Sequence, residues 1–162
     1  MDFKQYDSRT AAENPQPLKL RNPANGEFYQ DGDKFAIVLV IGSHARSVQA
    51  GILEEARKKL NTTKSKKKKD DEAKALADVQ KTLVEGAARV IRGFENIERE
   101  GRPLSTSAED VNWFLDLNFL SVKSLLAHEG GDDDEWLGDS FAQQILKASN
   151  DASAYLGKEL PT

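Results

Sequence analysis

A run of apolar residues spaced three and four apart constrains this chain more than any other feature. Between about Asp71 and Ile97 it comprises Leu76, Val79, Leu83, Ala87, Val90, Phe94 and Ile97. One stripe along an α-helix produces this spacing, whereas a half-buried strand would alternate. At about 1.5 Å per residue such a helix is roughly 40 Å long, enough to span a small domain. Burying the whole stripe is worth on the order of 10–20 kcal/mol before conformational entropy is set against it. The stripe reads as the spine of a core and not as a cofactor groove. The same helix carries Gly86 and Gly93, each costing about 1 kcal/mol of helix propensity. They mark either a close approach by a neighbouring helix or an early helix end, and spacing alone leaves both open.

The segments before the spine read as a compact β unit. Residues 1–16 are expected as a flexible arm, since Asn14, Pro15 and Pro17 oppose regular structure. A three-stranded antiparallel meander is expected over residues 17–41. Leu18 and Leu20 alternate with charges, Asn22 to Gly26 supply a turn, and Glu27 to Tyr29 return. After a second turn at Asp31-Gly32-Asp33, the run from Phe35 to Ile41 is apolar on both faces and predicts the central, most buried strand. A helix then begins near Ser43 or His44, with Ala45, Val48, Ile52, Ala56 and Leu60 as its apolar stripe.

The helical part is expected over residues 43–157, with a charged loop near residues 61–70 and all of residues 17–162 in one domain. The resulting fold class is α+β, mostly α: a small N-terminal meander followed by about four to five helices. After the spine, Glu98 to Pro103 form a polar turn, and Thr106 and Glu109 have capping-box spacing for a helix from about Ser107 toward Asp116. Val111, Phe114 and Leu115 suit its inner face. Trp113, Leu117, Phe119 and Leu120 add more large apolar groups than one stripe can bury, so this cluster is either core filling or a protein-binding patch. A short helix from Ser121 to His128 and a last one from Trp136, interrupted near Asn150, complete the reading.

Composition narrows the chemistry. Cysteine is absent, which removes disulfides, thiolate metal sites and cysteine nucleophiles. No apolar run reaches the length of a membrane span and the first residues lack a signal-peptide pattern, so a cytoplasmic protein is expected. The net charge of −4 is uneven: Gly42 to Lys69 hold nine Lys or Arg against two Glu, and Pro103 to Thr162 hold three against eleven acids. That polarity suits self-association or docking of a charged partner, or simply two solvated surfaces. Lys66, Lys67, Lys68 and Lys69 offer an electrostatic contact to phosphates. They lack interleaved aromatics and adjoin Asp70, Asp71 and Glu72, which favours an exposed loop. Asp132 to Glu135 lack EF-hand spacing. His44 and His128 stand apart, Glu54 and Glu55 lie on an ordinary helix face, and no phosphate-binding loop or nucleophile elbow occurs. No catalytic residue, metal ligand or cofactor is expected.

Several segments, read together, resemble the tail assembly chaperones of long-tailed bacteriophages. They are DFKQYDS at residues 2–8, LKLRNPANGEF at 18–28, FAIVLVIGSHARS at 35–47, GFENIEREGRPLSTSAEDV at 93–111 and ASNDASAYL at 148–156. The likeness spans most of the chain through short structural motifs. It departs from the family at Gly42 to Ser47, where an Asp and a Ser often follow the glycine, and at Phe94, often Trp. The Lys66 run and residues 130–135 are likewise not family features. The resemblance implies a non-enzymatic factor in the host cytoplasm, absent from the mature virion. It would bind the helical tape measure protein and help recruit tail tube protein. Trp113, Phe114, Leu117, Phe119 and Leu120 are the residues expected to cover the partner's apolar faces. A frameshifted longer form is also implied, since Leu156-Gly157-Lys158 can be encoded by a slippery G-GGA-AAG. A structural virion protein (tail tube, connector or neck) is the rival reading, and a nucleic-acid-binding module through Lys66 to Lys69 is the third.

Overall fold

The computed structural model describes residues 2–3, 7–61, 72–123 and 138–151. The fold is α+β, mostly α. In chain order the elements are α1 (Ser8–Ala11), β1 (Gln16–Lys19), β2 (Gln30–Asp31), β3 (Lys34–Phe35), β4 (Ile37–Val40), α2 (Arg46–Asn61), α3 (Glu72–Val90), β5 (Ile91–Glu95), β6 (Glu98–Arg99), β7 (Arg102–Pro103), α4 (Ala108–Leu115) and α5 (Phe141–Ser149).

The apolar run around β4 is the centre of the main sheet, whose order is β1-β4-β5 with both neighbours antiparallel. Val38 and Val40 are fully buried on one face, as a strand with apolar residues on both sides requires. The third strand corrects the expected meander. Residues 27–29 form no named strand: they pair locally through the Arg21 to Phe28 bridge, with Tyr29 N donating to Leu20 O and Ala36 N to Tyr29 O (both 3.2 Å), and beyond them β2 and β3 make a two-residue hairpin around Gly32. Two polar turns so close together leave too little chain for a full strand. The edge of β4 is taken instead by β5, with Val38 opposite Phe94 and Leu39 opposite Gly93.

The spine is therefore shorter than its periodicity predicts. Its helix ends at Val90, whose carbonyl accepts from Ile41 N (2.9 Å), and the chain turns directly into β5. Phe94 belongs to the strand and Ile97 to the loop beyond it; their helical spacing is coincidental. The two glycines do different things. A Cβ on Gly86 would stand 3.4 Å from Leu146 Cδ2, ordinary contact between α3 and α5, while one on Gly93 would come within 2.9 Å of Leu39 Cδ1. Gly93 thus allows a close cross-strand approach. Leu76 and Val79, early in the stripe, are exposed, and burial begins with Leu83 and becomes complete at Ala87 and Val90. In α2 likewise Ala45 and Val48, before and inside its first turn, are buried, while Ile52, Leu53 and Ala56 face solvent.

Residues 7–16 are anchored, which corrects the expected flexible arm. Ala12 is fully buried and its carbonyl accepts from Gly42 N (2.8 Å). Glu13 accepts from Ser47 N and Ser47 Oγ at 2.9 and 2.8 Å, so a distant carboxylate serves the first turn of α2. Asp7 accepts from Thr10 N and Oγ and pairs with Arg46 (3.3 Å). These partners hold both carboxyls below their usual range: Asp7 falls to about 2, chiefly through Thr10, and Glu13 is lowered chiefly by the Ser47 amide.

Phe114 centres the core. Its ring stacks on Phe141 of α5 (4.9 Å, 7°) and meets Phe94 of β5 edge-on (5.2 Å), which ties sheet and helices together. The lysine run, the acidic loop at Asp132 to Glu135, most of the Ser121 to His128 helix, and both ends of the expected last helix lie outside the described residues.

Candidate functional site

The site is built on α4 and the chain that leaves it. The helix is capped by Ser107, whose Oγ accepts from Asp110 N, one residue later than the expected Thr106. Asp110, whose N–H that cap satisfies, turns its carboxylate inward. It is buried and takes a bidentate pair from Arg102 (2.9 and 2.8 Å), bonds from Ser105 N and Oγ (2.9 and 2.8 Å), and Arg99 at 3.3 Å. The Arg102 guanidinium, and after it the Ser105 amide, hold the carboxyl well below its usual range, and Asp110 in turn raises Arg102. This cluster clamps the β6–β7 hairpin onto α4. The hairpin turns through Glu100 (φ 54°) and Gly101 (φ 85°), two left-handed residues in succession as a tight two-residue loop requires.

The clamp also fixes Arg99 over the Trp113 ring at 5.1 Å. Trp113 thus stands half-buried on the outer side of α4 while Phe114 points in. Past the C-cap at Asp116 the chain runs on to Ser121, pinned by side-chain amides from three directions. Gln80 Oε1 accepts from Leu120 N (2.9 Å), Gln143 Oε1 accepts from Ser121 N (2.7 Å), and Asn118 Oδ1 accepts from Phe141 N (2.8 Å). Gln143 Nε2 donates back to Ser121 O at 3.1 Å. The backbone is held, yet Leu117 is 50% exposed and Phe119 57% exposed, with exposed Val122 after them.

Leu117 also borders a groove of about 460 Å³ between α4 and the β hairpins, lined chiefly by Leu20, Tyr29, Ile97, Trp113, Leu117 and Phe141. Burial raises the Tyr29 phenol. The five residues expected to meet a partner therefore separate. Leu117 and Phe119 are exposed and Trp113 is half-exposed. Phe114, 2% exposed, and Leu120, 6% exposed, are core residues and are corrected as such. Phe114 is taken by the aromatic stack and Leu120 by the turn that Gln80 holds. Lys66 to Lys69 lie outside the described residues.

Nothing in the sequence marks Tyr29 and Ile97 as groove residues, because no periodicity connects the segments that hold them to α4. The pinning amides were equally silent, apart from Ser140-Phe141-Ala142-Gln143, whose capping-box spacing is legible and forms as such at the start of α5. His44 is half-buried ahead of α2, and its carbonyl accepts from Arg9 Nε at 3.4 Å. Among the described residues, no group of three or more His, Cys, Asp or Glu is placed to hold a metal ion, and no helix is long and apolar enough to cross a membrane. Comparison with protein-family models, with curated proteins and with solved structures finds no match to the chain.

Proposed function

We propose that this protein is a bacteriophage tail assembly chaperone that binds the tape measure protein and helps recruit tail tube subunits. It acts in the host cytoplasm, performs no reaction and leaves before the virion matures. The reading draws on the family-like motifs spread along the chain. The observation that carries it is the exposure, on a pinned backbone, of Leu117 at the rim of an apolar groove and of Phe119 two residues on. Large apolar side chains held in water by buried hydrogen bonds are poised to cover apolar surface on another molecule.

Co-expression with the tape measure protein and pull-down tests this directly. The double variant Leu117→Ser, Phe119→Ser removes exposed side chains only, so its thermal transition should match wild type while capture is lost. Undiminished capture by the folded double variant would remove the patch from the mechanism. Recovery of the protein at stoichiometric levels in purified particles would overturn the chaperone reading in favour of a structural virion component.

A further inference from the structure

The lining of the groove specifies more than apolarity. Each of its two asparagines already commits one end of its amide to the protein's own backbone: Asn118 Oδ1 accepts from Phe141 N, and Asn96 Nδ2 donates to Phe35 O at 2.9 Å. An extended peptide laid here would bury amides opposite leucine, isoleucine and aromatic side chains that cannot pair with them. An α-helix brings its backbone hydrogen bonds with it and presents only side chains. The rim carries charge. The groove continues past Glu98 and Asn96 into a polar cleft that also holds Asp31 and Lys34. On the far side of Trp113 a second cleft holds Asp116, Glu109 and Arg99. Arg99 and Glu109 face each other at 3.7 Å, and Arg99 also meets Asp110. Among the described residues Asp31, Glu98 and Asp116 form no ion pair, and Lys34, cross-strand from Asp31 in the β2–β3 hairpin, is a cation in the same cleft as Asp31 and Glu98.

We infer that the groove takes an amphipathic α-helix of a partner protein whose apolar stripe is flanked by lysine or arginine. The inference rests on reading this patch as a partner site, and it adds the conformation and charge of what binds. The unpaired rim acids select the flank and orient the helix, so association weakens as salt screens them.

The test uses three synthetic peptides of about 18 residues, five helical turns. They share one leucine stripe and carry lysine, glutamine or glutamate flanks, and binding to the full chain is read by fluorescence anisotropy. The lysine peptide should bind roughly tenfold tighter than the glutamine peptide at low salt, with the glutamate peptide weakest. The spread should close near about 0.5 M salt. The exposed-site variant Asp31→Lys, Glu98→Lys, Asp116→Lys should invert the order while melting like wild type. Equal binding of the three peptides, or an order that the triple variant leaves unchanged, overturns the charge selection. Absence of binding by all three overturns the helix. A dimer in sedimentation that Leu117→Ser, Phe119→Ser dissociates, with no peptide competing, would assign the groove to a second copy and overturn a foreign partner. Tape measure capture is scored separately, so failure of the peptides and failure of the chaperone reading remain distinguishable.

Discussion

Asp110 has almost no contact with solvent, yet two arginines, a serine hydroxyl and a backbone amide surround its carboxylate and keep it charged. Because its folded pKa lies below the ordinary carboxylate value of about 3.9, ionisation favours the native state. That contribution is complete above the ordinary value and disappears as pH falls from there toward the folded value. Urea unfolding at pH 7 and pH 3 should therefore show Asp110→Asn to be less stable than wild type at neutral pH, with the gap narrowing in acid. A gap that widened in acid would mean the clamp does not depend on this charge. Two glycines allow a second comparison. A Cβ on Gly42 would fall 2.7 Å from Ala12 Cβ, a short side chain fixed to backbone, whereas a Cβ on Gly51 in α2 would meet open space. Gly42→Ala should cost about 1–3 kcal/mol through overpacking and expose Arg9 to trypsin. Gly51→Ala should gain up to about 1 kcal/mol of helix propensity. Equal urea midpoints for the two variants would contradict the tight seat of residues 7–14.

At the scale of elements, the segment from Asp116 to Ser121 owes its shape to side chains from α3 and α5. Gln143 is the sharpest case: its Oε1 accepts from both Ser121 N and Ser140 N. Gln143→Ala removes the side-chain acceptor of both amides, of which Ser140 N is fully buried, a loss of about 1–3 kcal/mol. The Ser121 amide should then exchange with deuterium much faster, while Val38 in β4 keeps its protection. Preserved protection at Ser121 would show that packing of Leu120 alone holds the segment. The same kind of contact separates what the residues announce from what they conceal. Strand β4, the turns at Asn22 to Gly26 and at Gly32, the helix over α4 and the stop at Asn150 follow from apolar runs, glycine and capping chemistry within a few residues of each other. The end of α3 does not. Phe94 and Ile97 keep helical spacing, and only the free edge of β4, more than fifty residues earlier, decides that Ile91 to Glu95 are strand. Of the candidate site, the apolar richness around Trp113 was legible. Which of those residues point outward was not, because Phe141 and Gln80 settle it from distant parts of the chain.

For the whole molecule, the sheet order decides whether the β unit and the helices are separable. Strand β1 comes from the N-terminal segment, yet β5 is the direct continuation of α3, and Val90 O ties that junction to Ile41 N. Phe114 then touches β5 through Phe94 and α5 through Phe141. Loss of the helical layer would therefore strip β4 of one neighbour and uncover Val38 and Val40, leaving a two-stranded remnant that is marginal by itself. The two layers should unfold together in a single cooperative transition. Trp113 lies next to Phe114 and reports on the junction, and replacing the other tryptophan, Trp136→Phe, makes it the sole emitter. Urea titrations of that variant followed by Trp113 fluorescence and by far-ultraviolet circular dichroism should give one midpoint. Exchange at Ile52 and Leu53, on the exposed face of α2, should be faster than at Val40 and precede that midpoint, since little apolar packing holds them. Two separated midpoints would instead divide the chain into independent units. The groove between α4 and the β hairpins would then be a flexible seam, too loose to hold Leu117 and Phe119 out for a partner.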